Sequence, residues 1–141
     1  MTLPGTRAAI ARLVPHQGSM CLLDRVVSCS AEAIACTSST HRDADNPLRR
    51  DGALPALCGV EYALQAMALH GAITAGAPQG AGFLAALSGL EVGAQRLDDL
   101  AGLLEVEAAA LASESRGFIY RFAVSGEGRV LISGRATVVL A

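Results

Sequence analysis

The chain has 141 residues, of which 52% are hydrophobic and 17% charged, and its formal net charge is −2. This length and composition predict a single domain, residues 1–141, with a core of its own. The small net charge gives no support for nucleic-acid binding by bulk electrostatics. The four cysteines form no CxxC pair and no Cys/His cluster with zinc-ligand spacing. We therefore expect no metal site and a reducing, cytoplasmic setting, and we see no signal-peptide pattern at the N-terminus.

The first third of the chain predicts a short helix followed by two strands. Residues 6–13 suit a helix that begins at a capping threonine and is ended by Pro15. Two apolar, β-like segments follow, residues 20–28 and 33–40, with a hairpin turn between them. Residues 41–52 are rich in Asp, Asn, Pro and Gly, which predicts a loop.

Residues 55–75 predict the one long helix of the chain. Pro55 stands at a plausible first-turn position, and good helix formers follow it. The segment approaches the length of a membrane span, but Glu61, Gln65 and His70 interrupt it, so we expect a buried helix and no membrane span. Glu61 is the only acid in this run. Its carboxylate either lies on a wet stripe of the helix or is buried, where desolvation favours the protonated form and suits acid–base chemistry.

The remaining chain predicts four strands, at residues 83–92, 103–111, 117–125 and 129–140, joined by short Gly-containing turns. In residues 103–111, Glu105 and Glu107 alternate with apolar side chains, and in residues 117–125 large apolar side chains recur at every second position, which is the period of a half-buried strand. One long helix against a mostly antiparallel sheet of about five to six strands makes an α+β layer arrangement. Small residues along the helix allow the sheet to curl closely around it.

Two motifs resemble those of a known family. The segment LVPHQGSMCLLDRV at residues 13–26 resembles the Pro-His-x-x-x-Met-x-Leu-Leu-Asp-Arg-Val signature of hotdog-fold 3-hydroxyacyl-carrier-protein dehydratases of the FabZ type. The segment LPALCGVEYALQAMA at residues 54–68 resembles their central helix, which carries a catalytic acid. The similarity is greatest to the branch found in aryl-polyene and related polyketide-like clusters.

The resemblance implies a hotdog fold, with the sheet wrapped around the long helix, and a dimer with the helices of two subunits side by side. It implies dehydration of a (3R)-3-hydroxyacyl-[acyl-carrier-protein] to the trans-2-enoyl thioester. The acyl chain is carried on the phosphopantetheine of the acyl carrier protein and enters a tunnel at the subunit interface, so no further cofactor is expected. A histidine removes the α-proton, and the helix acid, here Glu61, handles the leaving hydroxyl.

Substrate contacts are predicted around the start of the long helix. Its first amide groups lack intrahelical partners and lie at the positive end of the helix dipole, so they can polarise a thioester carbonyl. We predict that the substrate contacts these residues, the glutamine one turn beyond the acid, and the loop asparagine, which can orient a water or the substrate carbonyl: Pro55, Ala56, Leu57, Gly59, Gln65 and Asn46. A basic cluster in the loop, Arg42, Arg49 and Arg50, is either a docking rim for an acidic carrier protein or an ordinary solvated surface.

The expected catalytic histidine is absent from its usual place. In the common dehydratases it lies fourteen residues before the helix acid, which corresponds to Pro47 here. His16 is the first candidate base, although it is equally suited to fixing its loop by hydrogen bonds. His41, which opens the loop after the second strand, is a further candidate base that would have to move in, but we expect it at the surface. His70 is expected as a supporting or capping residue near the end of the helix.

Three functions therefore remain open at the level of sequence. The first is a dehydratase that uses Glu61 and His16. The second is a non-catalytic or half-site subunit that forms a hetero-oligomer with a second dehydratase, which brings a histidine across the interface. The third is a hotdog acyl thioesterase, in which a helix acid activates water.

Overall fold

A computed structural model describes residues 2–15, 18–78, 82–114 and 116–140. Two helices and six strands follow one another along the chain: α1 (Arg7–Ala11), β1 (Arg25–Cys29), β2 (Ala33–Ser38), α2 (Gly59–Ala75), β3 (Gly82–Val92), β4 (Leu104–Glu114), β5 (Gly117–Gly126) and β6 (Arg129–Leu140). Short 3-10 turns lie at Gly18–Met20, Thr40–Arg42 and Ala56–Cys58. Within the described ranges, no helix combines the length and apolarity that a membrane crossing requires.

The six strands form one antiparallel sheet in the order β1-β2-β4-β5-β6-β3. The predicted one-helix, mostly antiparallel arrangement is thus confirmed. Strand β3 follows α2 in the chain but pairs with β6, so it forms one edge of the sheet while β1 forms the other.

Helix α2 lies against one face of this sheet, where it contacts β2, β4 and β5. Alternate residues of the central strands point at it, as the period-two pattern predicted: Val106 and Ala108 of β4 are buried between exposed glutamates. The helix ends at Gly76, whose φ of 71° gives the left-handed conformation in which the Gly76 and Ala77 N–H groups close back on the last turn. The predicted end at residue 75 is therefore confirmed.

The long helix begins later than the sequence indicated. Residues 56–58 form a 3-10 turn, and α-helical geometry starts at Gly59. A Cβ atom at Gly59 would lie 2.6 Å from Ile132 Cγ2 of β6, so the missing side chain is what lets the helix start touch the sheet. The position of the helix start is consequently fixed by packing against β6.

The predicted first strand is too long. In the structure, β1 starts at Arg25. The residues before it, Cys21 to Leu23, are all buried and do not alternate with exposed ones. The backbone of this run is held by side chains instead of a strand partner: Leu22 N–H donates to Gln65 Oε1, and Leu22 O accepts from the hydroxyl of Thr40. Helix α1 agrees with the prediction, with Thr6 Oγ1 accepting from Ala9 N–H as its cap.

Edge strand β3 is exposed along its whole length in the single chain. Five large apolar side chains are uncovered on it: Phe83, Leu84, Leu87, Leu90 and Val92. Its outer backbone groups face no other strand of the sheet. In proteins generally, exposed apolar strand edges of this kind are able to pair with a strand of another chain.

Candidate active site

Glu61 lies in the first turn of α2 and is half-buried. The side chains on either side of it in the sequence, Val60 and Tyr62, are buried. Among the residues that the structure describes, no hydrogen-bond donor or cation within ion-pair distance is assigned to its carboxylate. Glu61 is thus neither on a fully wet stripe nor sealed in the core.

The amide groups at the helix start are mostly occupied. Ala56 N–H donates to Gln95 O at 3.0 Å, and Cys58 N–H donates to Pro55 O at 3.0 Å. Gly59 N–H closes back on the carbonyls of residues 56 and 57. Within the described ranges, Leu57 N–H has no such acceptor, and the Leu57 side chain is 56% exposed. Of the four helix-start residues predicted to touch substrate, Leu57 is therefore the one with a free amide donor.

A segment after β3 holds this helix start in place. Asp98 accepts a 2.7 Å hydrogen bond from Leu54 N–H, and Leu97 N–H donates to Leu54 O. The guanidinium of Arg96 binds the same carboxylate, and these donors hold the pKa of Asp98 well below its usual range. Nothing in the local sequence around Asp98 marks this role, because its partner lies 44 positions earlier in the chain.

A buried polar network lies under the helix beside Glu61. The Tyr62 hydroxyl is 2.8 Å from Thr40 Oγ1 and accepts a 3.0 Å hydrogen bond from the Asn46 amide. The same amide donates to Thr40 O, while Asn46 Oδ1 accepts from Leu48 N–H. Burial raises the pKa of the Tyr62 phenol above its ordinary value, so this hydroxyl stays neutral. Asn46 is buried with its amide committed to the protein, and a contact with substrate remains a prediction.

Gln65 lies one helical turn beyond Glu61 and is fully buried. Its Oε1 accepts from Leu22 N–H at 2.8 Å, and its Nε2 donates to Met20 O. These bonds tie α2 to the segment that carries the first motif. The sequence singled out Gln65 as a substrate contact, and the structure gives its side chain two backbone partners.

His41 is buried, which contradicts its prediction as a surface histidine. Its Nε2 lies 3.1 Å from Leu100 O, and its Nδ1 is buried without a partner among the described residues. Burial lowers the pKa of the His41 imidazole below 6.5, which favours the neutral ring. Through its contact with Leu100 O, the ring connects the turn after β2 to the segment before β4.

His70 is also buried, with both ring nitrogens engaged. Nδ1 is 2.8 Å from the Tyr120 hydroxyl and Nε2 is 2.9 Å from Ser30 O. It links the helix to β5 and to the β1–β2 turn, which is a supporting role. His16, the candidate base, lies outside the described residues.

Of the three arginines in the loop, one binds backbone carbonyls of the loop and the other two are exposed. The guanidinium of Arg49 donates to Asp43 O and Gly52 O, at 2.8 and 2.9 Å, so it supports the loop. Arg42 and Arg50 are exposed, and Arg50 Nη1 donates to Arg49 O. Only these two are free to meet a partner from solvent.

Cys58 lies close to Glu61 at the start of the helix. Burial raises the pKa of its thiol, and the neighbouring Glu61 carboxylate adds to the shift while Arg50 opposes it. The thiol therefore stays protonated at neutral pH. In the described ranges, no group of three or more His, Cys, Asp or Glu side chains is placed to hold a metal ion.

A depression of about 710 Å³ lies on the sheet face that points away from α2. Its lining comes from the six strands and the β1–β2 turn, and includes neither Glu61 nor the helix start. The two features are therefore separate, and the depression is not the site of the helix acid.

A long helix packed on a six-stranded antiparallel sheet, with an acid in its first turn, defines a hotdog-fold domain. A family model described as ApeP dehydratase matches residues 8–141. The chain belongs to this ApeP-like dehydratase family. No curated protein sequence matches it.

Solved structures agree with the fold. A chain of the dehydratase heterocomplex ApeI:P from Xenorhabdus doucetiae superposes with a TM-score of 0.83 at 22% identity, covering 94% of this chain and 90% of that one. A hypothetical thioesterase with coenzyme A from Streptococcus pneumoniae gives 0.58 at 14% identity, with coverages of 82% and 84%. A mutant thioesterase from Pseudomonas aeruginosa gives 0.56 at 16% identity, with coverages of 82% and 78%.

Proposed function

We propose that this protein dehydrates a (3R)-3-hydroxyacyl thioester carried by an acyl carrier protein to the trans-2-enoyl thioester, with Glu61 as the catalytic acid. The observation that carries this proposal is the half-buried Glu61 in the first turn of α2, without a protein partner in the described part of the chain, in a member of a dehydratase family. The four free cysteines fit a reducing cytoplasm.

The chemistry assigns Glu61 a defined task. A base removes the α-proton, the C–H electron pair forms the C2=C3 double bond, and the C3–O bond breaks. Hydroxide is a poor leaving group, so Glu61 in its protonated form donates a proton to the departing oxygen and water is released. Such a positioned proton transfer typically contributes about 10²–10⁴-fold in rate.

The thioester carbonyl gains negative charge as the α-proton leaves. Leu57 N–H, at the positive end of α2, is the free donor suited to that oxygen. A donor aimed at developing charge is worth on the order of 10²–10³-fold in other enzymes. Exposed Arg42 and Arg50 on the loop before the helix suit an acidic carrier protein or its phosphopantetheine phosphate.

The proposed substrate tunnel needs a second subunit. Strand β3 presents an open backbone edge and five exposed apolar side chains, so pairing of this edge with another subunit would bury them. The partner is a second copy of the chain or a second dehydratase subunit. Either partner would extend the sheet and add a second wall to the proposed substrate tunnel beside the long helix.

A half-site subunit is the second candidate function. Both described histidines are buried: His70 has partners at both ring nitrogens, and His41 has a partner at Nε2 and a buried Nδ1. Among the described residues, no histidine has a hydrogen bond or ion pair with Glu61. The structural match to a dehydratase heterocomplex fits a mixed assembly. In that arrangement the partner supplies the histidine and this chain supplies Glu61, whereas in the first candidate His16 is the base.

The test of Glu61 is turnover of 3-hydroxyacyl carrier protein by Glu61→Gln, followed by mass spectrometry as loss of water. We expect activity to fall about 10²–10⁴-fold. Glu114→Gln, the same change at the exposed end of β4, is the matched control and should retain full activity. Undiminished dehydration by Glu61→Gln would refute the proposal, and release of free acid would identify a thioesterase.

A second assay separates the two sources of the base. The isolated chain and its complex with a co-expressed dehydratase subunit are compared, each with and without His16→Ala. Activity of the isolated chain that disappears in His16→Ala supports the complete site. Activity that requires the partner and survives His16→Ala supports the half-site.

Association through β3 is tested by size-exclusion chromatography with light scattering. Leu87→Asp places a charge on the exposed edge strand, so it should break the edge pairing and halve the mass of the assembly. Leu103→Asp, at another exposed leucine just before β4, is the control and should leave the mass unchanged. Equal behaviour of the two variants would show that β3 is not the contact.

A further inference from the structure

The face of the sheet that points away from α2 is not covered by any helix of the described residues, and we call it the outer face. The 710 Å³ depression on it crosses all six strands, a width of about 24 Å at a strand spacing of about 4.8 Å. Small side chains form its centre and are only half-buried: Ala33, Ala35, Ala109, Ala123 and Ser133. A surface without bulky side chains at its centre lets another flat surface approach closely.

Four charged side chains frame this centre in two rows. Glu107 lies opposite Ala123, and Glu91 lies opposite Ser133, so the two glutamates share one row across the sheet. Arg121 lies directly opposite Arg135 in the next row. All four side chains are exposed. The outer face therefore has an acidic row beside a basic row.

The arginine pair is unfavourable in the single chain. Like charges directly opposite each other on a sheet are destabilising. Among the described residues, neither Arg121 nor Arg135 has a carboxylate within the 4.0 Å that defines an ion pair. The face consequently carries two cations and two anions that an incoming surface can neutralise.

We propose that the outer face is an interface between two copies of this chain, related by a twofold axis that runs across the strands between the two rows. A twofold interface brings the same patch together from both sides, so residue i meets j and j meets i. With this axis the arginine row of one copy faces the glutamate row of the other. A uniformly acidic or basic partner would instead meet one row of its own sign, which favours a second copy as the occupant.

This surface is different from the β3 edge. Edge pairing extends the sheet in its own plane, whereas the outer face stacks one sheet on another at about 10 Å. The two contacts are compatible, so edge-paired subunits that also stack form an assembly of twice the mass. Its ion pairs lie between copies and weaken as added salt screens them.

Charge reversal tests the proposal, with assembly mass measured by light scattering and native mass spectrometry at low ionic strength. We expect Arg121→Glu and Glu107→Arg each to halve the mass of the wild-type assembly. The double variant, which exchanges the two signs, should restore it. Circular dichroism checks that each variant is folded.

Glu114→Arg is the matched control, because it makes the same charge change at the exposed end of β4, away from the depression. It should keep the wild-type mass. An unchanged mass in both single reversals, an equal loss of mass in Glu114→Arg, or a double variant that stays dissociated would each overturn the proposal.

Discussion

The side chain of Gln65 accepts a 2.8 Å hydrogen bond from the backbone N–H of Leu22, 43 residues earlier in the chain. The same amide donates to Met20 O. The turn of α2 that follows Glu61 is thereby tied to the segment just before β1. In a buried environment these two bonds replace the strand pairing that residues 20–22 do not have.

Gln65→Ala should lower the free energy of unfolding by about 1–4 kcal/mol. It leaves the buried Leu22 N–H without a partner, which costs about 1–3 kcal/mol, and it leaves the part-buried Met20 O without a donor at a smaller cost. Urea unfolding followed by circular dichroism measures the change. Gln95→Ala removes the same side chain from an exposed position and should be close to neutral. Similar losses in the two variants would mean that the bonds to Met20 and Leu22 add little.

Gly59→Ala should destabilise the protein by about 1–3 kcal/mol through overpacking. The added Cβ meets Ile132 Cγ2 at 2.6 Å, so the helix start or β6 has to shift. In an Ile132→Ala background the same substitution should cost much less, since the clashing atom is gone. Gly102→Ala, where nothing lies within 4 Å of the added carbon, is the control. A full penalty in the Ile132→Ala background would rule out this clash as the cause.

His41 should make stability depend on pH. Burial lowers its pKa in the folded state below 6.5, so the unfolded chain takes up a proton before the folded one does. The contribution of the neutral His41 ring to the free energy of unfolding is therefore fully present above about pH 6.5. It is lost as the pH falls from there toward the pKa of the folded state. Between pH 7.5 and pH 5.5, the free energy of unfolding should fall by more in the wild type than in His41→Gln. A constant difference between the two proteins would contradict the linkage.

Asp98→Ala should loosen the start of the long helix. The substitution removes the acceptor of Leu54 N–H and the anchor of the Arg96 guanidinium. Hydrogen exchange at the Leu54 amide should become faster. Asp99→Ala, at the neighbouring carboxylate with 60% side-chain exposure, should leave this amide protected. Equal exchange in both variants would show that the Asp98 hydrogen bond does not hold the helix start.

Much of the architecture was predictable from the sequence. Strand limits in the second half agree within a few residues, because the alternation of Val106 and Ala108 with glutamates is a local pattern. The period-two spacing of Tyr120, Phe122 and Val124 on one face of β5 is another. The long helix and its end at Gly76 are likewise encoded locally, by helix formers followed by a residue that tolerates positive φ. The two motifs led to the dehydratase family that the family model supports.

The sequence by itself therefore determined the elements, the hotdog class and the acid in the helix. Only the tertiary structure decided that β3 lies at the sheet edge beside β6, that His41 is buried, and that Asn46 and Gln65 bind the backbone. These features depend on contacts between residues that are far apart in the chain, whose pairing no local periodicity specifies. Packing and the need to satisfy buried polar groups select among them.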